Sequence, residues 1–470
     1  MNDTVTLACV EDLSTSLASR LDMQGPRYTS YPTADRFSEG FGEADYVQAL
    51  HERRKAEQAG TAAPLSLYVH IPFCESVCYY CACNKVVTRH HERAMAYLQA
   101  LEREIELHTQ ILGSAQRVTQ LHLGGGTPTF LSDDELQALM DAVRRNFQLD
   151  PDAEISIEVD PRTVNRRRLE ALAAMGFNRL SLGVQDFDPE VQAAVHRVQP
   201  FEQVAELMRS ARALGFASIN VDLIYGLPRQ TAASFACTLE QVNQLRPDRI
   251  ALYAYAHLPQ RFPPQRRIVT EELPAAESRL RMIQQAIAAF LSHGYRYIGM
   301  DHFALEDDAL AIAKQQGQLH RNFQGYSTQA DCDLIGLGVS AIGRVGNSYS
   351  QNAKSLDEYY EAVQQGRFPV ARGIALTPDD LLRRELIMAL MCQGRVSVAA
   401  IEARHAVGFS SYFHDDVERL RPLQELGLVS IGPEAIEVSA SGWFFVRAIA
   451  MAFDRYLQSD PARQRFSRIF

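Results

Sequence analysis

Four cysteines fall within ten residues, in the pattern Cys74-x3-Cys78-x2-Cys81-x-Cys83, dense enough to bind a metal or a cluster. The other four, Cys9, Cys237, Cys332 and Cys392, are scattered through 470 residues, which does not fit the disulfide framework of a short secreted chain. Structural zinc takes two separated cysteine pairs, or cysteine with histidine at finger spacing, and no second distant Cys-x2-Cys follows here. A Cys-x3-Cys-x2-Cys loop suits a [4Fe–4S] cube, because such clusters are held by thiolates on tight loops. Three thiolates would leave the fourth iron open, and an open position is what catalysis at a metal needs. Zinc and a redox thiol pair are the readings that the cysteines alone leave open.

The cysteine loop follows an apolar run, Leu65 to Phe73, that reads as a buried strand. Further apolar or β-branched runs recur at 119–124, 154–160, 178–185, 217–226 and 249–256. Helical patterns separate them at 92–112, 133–147, 166–175, 201–214, 231–245 and 275–293, and a Ser132/Glu135 capping box starts the second. Six strand–helix units in series predict a parallel sheet with right-handed crossovers. Six is fewer than a closed eight-stranded barrel needs, so the expected fold is α/β, a partial (β/α)6 TIM-like barrel, with a mostly helical C-terminal domain. The expected division is a leader and substrate-proximal segment over 1–60, the barrel over 61–300, an extension completing the site over 301–375, and the C-terminal domain over 376–470. The alternation fades after residue 300, helical patterns resume from Ser355, and a small hairpin is expected near Leu428–Val438.

Polar residues and glycines collect just past the strand ends: Gly124-Gly125-Gly126-Thr127-Pro128, then Glu158 and Asp160, Gln185 and Asp186, Asp222 with Tyr225-Gly226, and His257. In barrel enzymes that edge carries the chemistry. Taken singly, each has a plainer reading. Three glycines make a turn, Glu158 and Asp160 could cap a helix, and Arg197 could be a solvated surface arginine. His320 and Arg321 could be a loop-to-core hydrogen-bonding pair, His257 a structural histidine, and the stretch Pro26–Phe37 (PRYTSYPTADRF) a surface loop.

With 47 basic against 57 acidic residues the chain carries a net charge of −10, which argues against a protein built to coat nucleic acid. The first residues include Asp3, Glu11 and Asp12 and lack a cationic start, so no secretory signal is expected. No apolar run approaches the roughly 18 residues of a membrane span. The expected location is the cytoplasm, where thiols stay reduced and available to metals.

CESVCYYC resembles the radical S-adenosylmethionine (SAM) signature Cys-x3-Cys-x-aromatic-Cys, with Tyr80 as the aromatic residue. GGGTP, one strand–helix unit later, resembles that superfamily's glycine motif. The segments YVHIPFC, CACNKVVTR, LHLGGGTPT, EISIEVDPR, FNRLSLGVQDF, NVDLIYGLP, YAHLP, IGMDHFA and HRNFQGY follow in order across residues 68–326. Together they resemble the oxygen-independent coproporphyrinogen III oxidase (dehydrogenase) family of haem biosynthesis. PRYTSYPTA is similar to that family's N-terminal segment, and QRFSRIF to its ending.

The resemblance implies that Cys74, Cys78 and Cys81 ligate a [4Fe–4S] cluster, with Cys83 a fourth cysteine that binds no iron. It implies one SAM on the open iron, contacted by Tyr68, Gly125 and Glu158. A second SAM would lie among Tyr80, Gly126, Thr127, Gln185, Arg197, Asp222, Ala256 and Ile342. Tyr80 stands where phenylalanine is expected, and Leu123 where tryptophan is. The implied reaction is radical oxidative decarboxylation of two propionates of coproporphyrinogen III to vinyl groups, giving protoporphyrinogen IX, with no acid–base residue assigned. The implied partners are that substrate and an electron donor of flavodoxin or ferredoxin type, and the implied state is a monomer. Tyr28, Tyr31, Arg321 and Gln324 are substrate-proximal candidates, and Arg27, Arg261, Arg266, Arg267 and Arg321 could meet substrate carboxylates. The PRYTSYPTA segment could close over the substrate as a lid. The alternative is the haem-binding chaperone of the same superfamily, which shares the cysteine loop and GGGTP; Cys83, HRNFQGY and the YTSYPTA segment set this chain apart from it.

Overall fold

Leu65–Ile71 (β1) is buried along almost its whole length and has no polar face, so it must be covered on both sides and flanked by other strands. A computed structural model, which describes residues 5–11, 21, 24–114, 116–329, 332–459 and 466, places β1 in the middle of a twelve-stranded sheet. Arg117–Gly125 (β2), Gln148–Val159 (β3), Arg179–Gln185 (β4), Ser218–Tyr225 (β5) and Arg249–Ala254 (β6) follow it in chain order. Each is parallel to the last. These are the six strands legible in the sequence. The connecting helices also form close to the expected limits, at Arg93–Leu112, Asp133–Asn146, Arg166–Ala174, Phe201–Ala213 and Ala232–Leu245. The Ser132 capping box is formed, with Glu135 N donating to Ser132 Oγ at 3.2 Å and Ser132 N to Glu135 Oε2 at 2.8 Å.

The sheet does not stop where the alternation fades. Tyr295–Gly299 (β7) and His302–Leu305 (β8) extend it antiparallel beyond β6. On the other side Asp333–Leu337 (β9) pairs parallel with β1, and Ile342–Val345 (β10), Ser348–Asn352 (β11) and Val370–Ala375 (β12) continue antiparallel. These strands are only four to six residues long, too short for a periodic signal. The architecture is mixed α/β with a parallel-dominated sheet. No described helix is long and apolar enough to cross a membrane.

Helices Pro378–Gln393, Val398–His405 and His414–Glu425 follow, with a three-stranded sheet in which Val429–Ile431 and Ala435–Val438 form the expected hairpin and Arg395–Ser397 adds a third strand. The N-terminal segment is a second departure. Tyr28, Ser30 and Tyr31 are buried rather than lying in a surface loop. Tyr28 Oη donates to Asp454 Oδ2 at 3.0 Å, the Tyr31 hydroxyl accepts from Arg455 N at 3.2 Å, and Arg447 Nε donates to Pro26 O at 3.1 Å. The anchors lie more than 400 residues away, so no local pattern announces them. The QRFSRIF ending lies, apart from Phe466, outside the described residues.

Tyr28→Phe removes the hydroxyl that satisfies the buried Asp454 and is expected to cost about 1–3 kcal/mol in chemical denaturation of the full chain. An unchanged denaturation midpoint would show that this bond does not hold the N-terminal segment down.

Candidate active site

The cysteine loop leaves β1 and is closed at its base. Phe73–Cys74 pairs parallel with Val86–Val87, Val86 N donates to Pro72 O at 2.7 Å, and Thr88 N donates to Cys74 O at 2.9 Å. This base points the loop back onto the C-terminal rim of the sheet. Cys74, Cys78, Cys81 and Cys83 line one cavity of about 220 Å³ together with Gly125, Gly126, Thr127, Glu158, Asp160, Gln185, Arg197 and Asp222. The residues expected from five separate strand ends therefore meet in one place.

Cationic groups surround the sulfurs. Arg197 Nη1 lies 3.4 Å from Cys78 Sγ and Arg162 Nη2 lies 3.6 Å from it, while both arginines are held by Asp160, at 3.3 and 2.6 Å. Arg197 is further fixed by Nε and Nη2 donating to Gly183 O at 3.1 and 2.6 Å. Thr127 Oγ1 donates to Cys74 Sγ at 3.5 Å. Burial pushes the Cys74 thiol up to about 11, whereas a hydrogen bond from Cys83 and the charge of Lys85 bring Cys81 down to about 6. Among the described residues no three Cys, His, Asp or Glu groups converge tightly enough for a single metal ion. Thiols spread around one cavity, with guanidinium groups to offset their charge, fit a cluster in which each thiolate takes a different iron. Cys83 is exposed, unlike the buried Cys74 and Cys78.

The glycine run is required by crowding. Gly125 has φ +117°, and a Cβ there would stand 2.6 Å from the His70 ring; a Cβ on Gly126 would stand 2.7 Å from the carbonyls of Pro72 and Phe73. The backbone is thereby pressed against the cysteine loop and leaves a polar cradle. Gly125 N donates to Glu158 Oε2 at 3.0 Å, and His122 Nε2 lies 3.5 Å from Glu158 Oε1. Burial raises the Glu158 carboxyl, but His122, the Gly125 amide and His70 outweigh it and hold the group below its ordinary range. Asp222 goes the other way. Burial and the Glu158 charge push it up to about 6 against the hydrogen bonds from Asn220 and Ser181.

Tyr68 does not line the cavity; its ring stacks on His122 at 5.9 Å and its hydroxyl lies 3.0 Å from His70 Nδ1. His70 Nε2 donates to Asn84 O at 2.9 Å, so the tyrosine hydroxyl is the donor to Nδ1, and the chain Tyr68–His70–Asn84 ties β1 to the cysteine loop. Ala256 lies at the margin, because Gln265 Nε2 bridges its carbonyl at 3.2 Å and that of Tyr80 at 3.0 Å. Ile342 opens β10 and does not line the cavity. Asp186 turns inward to Thr238 and Gln230, and His257 pairs with Tyr255, so these two strand-end residues are structural. Sequence reasoning passed over Arg162, His122 and Lys85. Arg162 stands two residues past Asp160, and its closeness to Cys78 depends on a turn that spacing does not reveal.

A second cavity of about 170 Å³ shares Glu158, Ser181 and Asp222 with the first and continues past Tyr253 to His302 and Gln324. Gln324 Nε2 is buried without an acceptor. Arg321, 7% exposed, has Nε and Nη1 without acceptors and stacks at 4.6 Å over Tyr326, facing an adjoining void rather than this cavity. Buried donors left unpaired are costly and mark a place for an acceptor. Tyr28 backs a larger outer cavity with its hydroxyl committed to Asp454, and Tyr31 is engaged with Arg455. Arg266 donates to Pro259 O and Arg267 stacks over Tyr79, so neither of this basic pair points to a ligand.

The radical SAM superfamily model matches residues 68–242, and the HemN C-terminal domain model matches residues 376–445. The chain is 50% identical over 458 residues to the oxygen-independent coproporphyrinogen III oxidase of Escherichia coli, covering 97% of this chain and 98% of the relative. It is 48% identical to the Pseudomonas aeruginosa protein of the same name, over 96% and 98% of the two chains. A solved structure described as coproporphyrinogen III oxidase (HemN) from Escherichia coli, a radical SAM enzyme, superposes with a TM-score of 0.88, at 50% identity, covering 92% of this chain and 97% of the other. The motifs met along the sequence, the rim that gathers them and this full-length similarity agree: the chain belongs to the oxygen-independent coproporphyrinogen III oxidase family of radical SAM enzymes.

Proposed function

We propose that this protein converts two propionate side chains of coproporphyrinogen III to vinyl groups, giving protoporphyrinogen IX without oxygen. Each conversion removes one hydrogen atom, one further electron and CO2. The observation that carries the reading is the gathering of three thiols, the glycine cradle, Glu158 and Asp222 around one cavity in a chain alike over its full length to proteins named for this activity. When bound, a [4Fe–4S] cluster and SAM supply the reducing electron and the hydrogen-abstracting species.

Cys74, Cys78 and Cys81 hold the cluster, and Cys83 lies outside the ligand set. Arg162, Arg197 and Lys85 offset the charge of the thiolates. Gly125 and Glu158 position the cluster-bound SAM, Glu158 kept ionised by His122 and the Gly125 amide, and Tyr68 backs them through His122 and His70. Tyr80, Gly126, Thr127, Gln185, Arg197 and Asp222 surround a second SAM, with Ala256 at the margin and Ile342 beyond the cavity wall, and Asp222 is a natural acceptor for a hydroxyl or a neighbour of a sulfonium charge. Gln324 orients the reacting propionate in the second cavity, Arg321 meets a substrate carboxylate from the adjoining void, and the buried N-terminal segment keeps water out. The six parallel strands curve into a partial (β/α)6 barrel spanning 61–300, flanked by a substrate-proximal segment over 1–60, an extension over 301–375 and a C-terminal domain over 376–470. The protein works as a cytoplasmic monomer fed by a flavodoxin- or ferredoxin-type donor.

Under argon, with SAM, a reductant and coproporphyrinogen III, the reconstituted protein is expected to release about two CO2 per substrate and form protoporphyrinogen IX; haem retention without CO2 release would identify a carrier instead. Cys78→Ala is expected to lose the cluster, while Cys83→Ala retains about four irons and the matching sulfide; equal loss in both would make Cys83 a ligand. The raised Asp222 pKa means the folded state holds its proton where the unfolded chain has released it, so this group's contribution falls as pH rises from about 4 to about 6. Asp222→Asn is therefore expected to stabilise the SAM-free protein at neutral pH by about 1–2 kcal/mol, discounted because the carboxylate faces a cavity, with no gain below about pH 4. The same change is expected to weaken SAM binding in calorimetry, and unchanged affinity would remove Asp222 from the SAM site.

A further inference from the structure

Outside the two inner cavities lies a larger one of about 710 Å³, lined from five places far apart in sequence: Pro26–Asp35, Leu258 with Arg261, Lys354, Arg372 and Phe466. Its volume falls within the range that holds a whole organic ligand, about 300–1,000 Å³, whereas the inner cavity of about 170 Å³ admits only a side arm of one. The lining brings Arg27, Arg261, Lys354 and Arg372 together in a protein whose net charge is −10. Among the described lining residues the acid is Asp35, which lies 3.2 Å from Arg36. Burial and then the charges of Arg372 and Arg261 lower the Lys354 ammonium, so these cations are close enough to feel one another.

The cations are held in place. Arg372 Nε donates to Gln351 Oε1 at 2.7 Å and its guanidinium stacks 5.8 Å from the Phe37 ring. The Lys354 carbonyl accepts from Asn84 Nδ2 at 3.1 Å, fastening that turn to the cysteine loop. Arg27 stands between the outer and inner spaces, with its guanidinium 5.3 Å from the ring of Tyr253, which walls the inner cavity, and with Nη2 buried and lacking an acceptor.

We propose that Lys354 and Arg372, with Arg261 and Arg27, form an outer carboxylate station that holds the side-chain carboxylates that do not react and so selects which propionate enters the inner cavity. This rests on the reading of the protein as a decarboxylase of a porphyrinogen with several carboxylates. Lys354 and Arg372 lie outside the cluster cavity and both SAM groups. They touch only the part of the substrate that stays unchanged, so they govern affinity and order rather than the bond-breaking step.

The test uses Lys354→Met, Arg372→Met and the conservative Lys354→Arg in the reconstituted full-length protein, with iron content and substrate-independent SAM cleavage as checks on folding. Expected for both methionine variants are a rise in KM of about tenfold or more, kcat within about threefold, build-up of the product with one propionate converted, and rescue by Lys354→Arg. Titration with coproporphyrin III, the oxidised and non-reacting analogue, is expected to show the same loss of affinity, and its tetramethyl ester is expected to bind neither wild type nor variants. Wild-type affinity for the tetra-acid in both methionine variants, or equal binding of acid and ester by the wild type, would overturn the station while leaving the decarboxylase reading intact. Absence of CO2 release from the wild type would overturn that reading first.

Discussion

The constraint on which the site depends is electrostatic. Three thiolates at the end of one strand repel each other, and they can share a cavity only if positive charge is brought to them through the protein. Arg197 and Arg162 do this at Cys78, and Asp160 fixes both guanidinium groups. The three positions come from different strand ends, so the cysteine loop is charge-matched only when β1 to β4 stand in order and in register, with β2 between β1 and β3. The order of the sheet is therefore a condition of the site.

The same logic separates two carboxylates of similar type. Glu158 accepts from an amide and faces His122, while Asp222 is buried beside Glu158 and pays part of the cost of that neighbour. One is kept ionised and the other is held near the point of taking up a proton. Two acids on one rim thus have different affinities for positive charge before any ligand arrives. Farther out, the lining carries four cationic side chains against Asp35, and the polarity of the route changes from mixed at the rim to mainly cationic at the mouth.

Much of this was legible in the sequence. The six parallel strands stood out because each is apolar and flanked by a helix of clear period, and the strand-end residues because they break that apolar text. Cys74, Cys78, Cys81, Gly125, Gly126, Thr127, Glu158, Gln185, Arg197 and Asp222 do meet at one cavity. What stayed hidden depends on long-range partners. The four- to six-residue strands β9 to β12 are too short to show a period, and β9 is recruited by pairing with β1 across more than 260 residues. Tyr28 and Tyr31 looked like loop residues because Asp454 and Arg455 bury them from the far end of the chain. Asp186 and His257 occupy the same strand ends as the site residues yet turn to Thr238 and Tyr255, a choice of rotamer that spacing cannot show.

The central claim is that this rim directs hydrogen abstraction to the β-carbon of a substrate propionate. Coproporphyrinogen III deuterated at those β-carbons tests it most directly, through the mass of the 5′-deoxyadenosine formed in a single anaerobic turnover. Deuterium carried into 5′-deoxyadenosine in step with CO2 release is the predicted result. Unlabelled 5′-deoxyadenosine formed alongside CO2 would contradict the account.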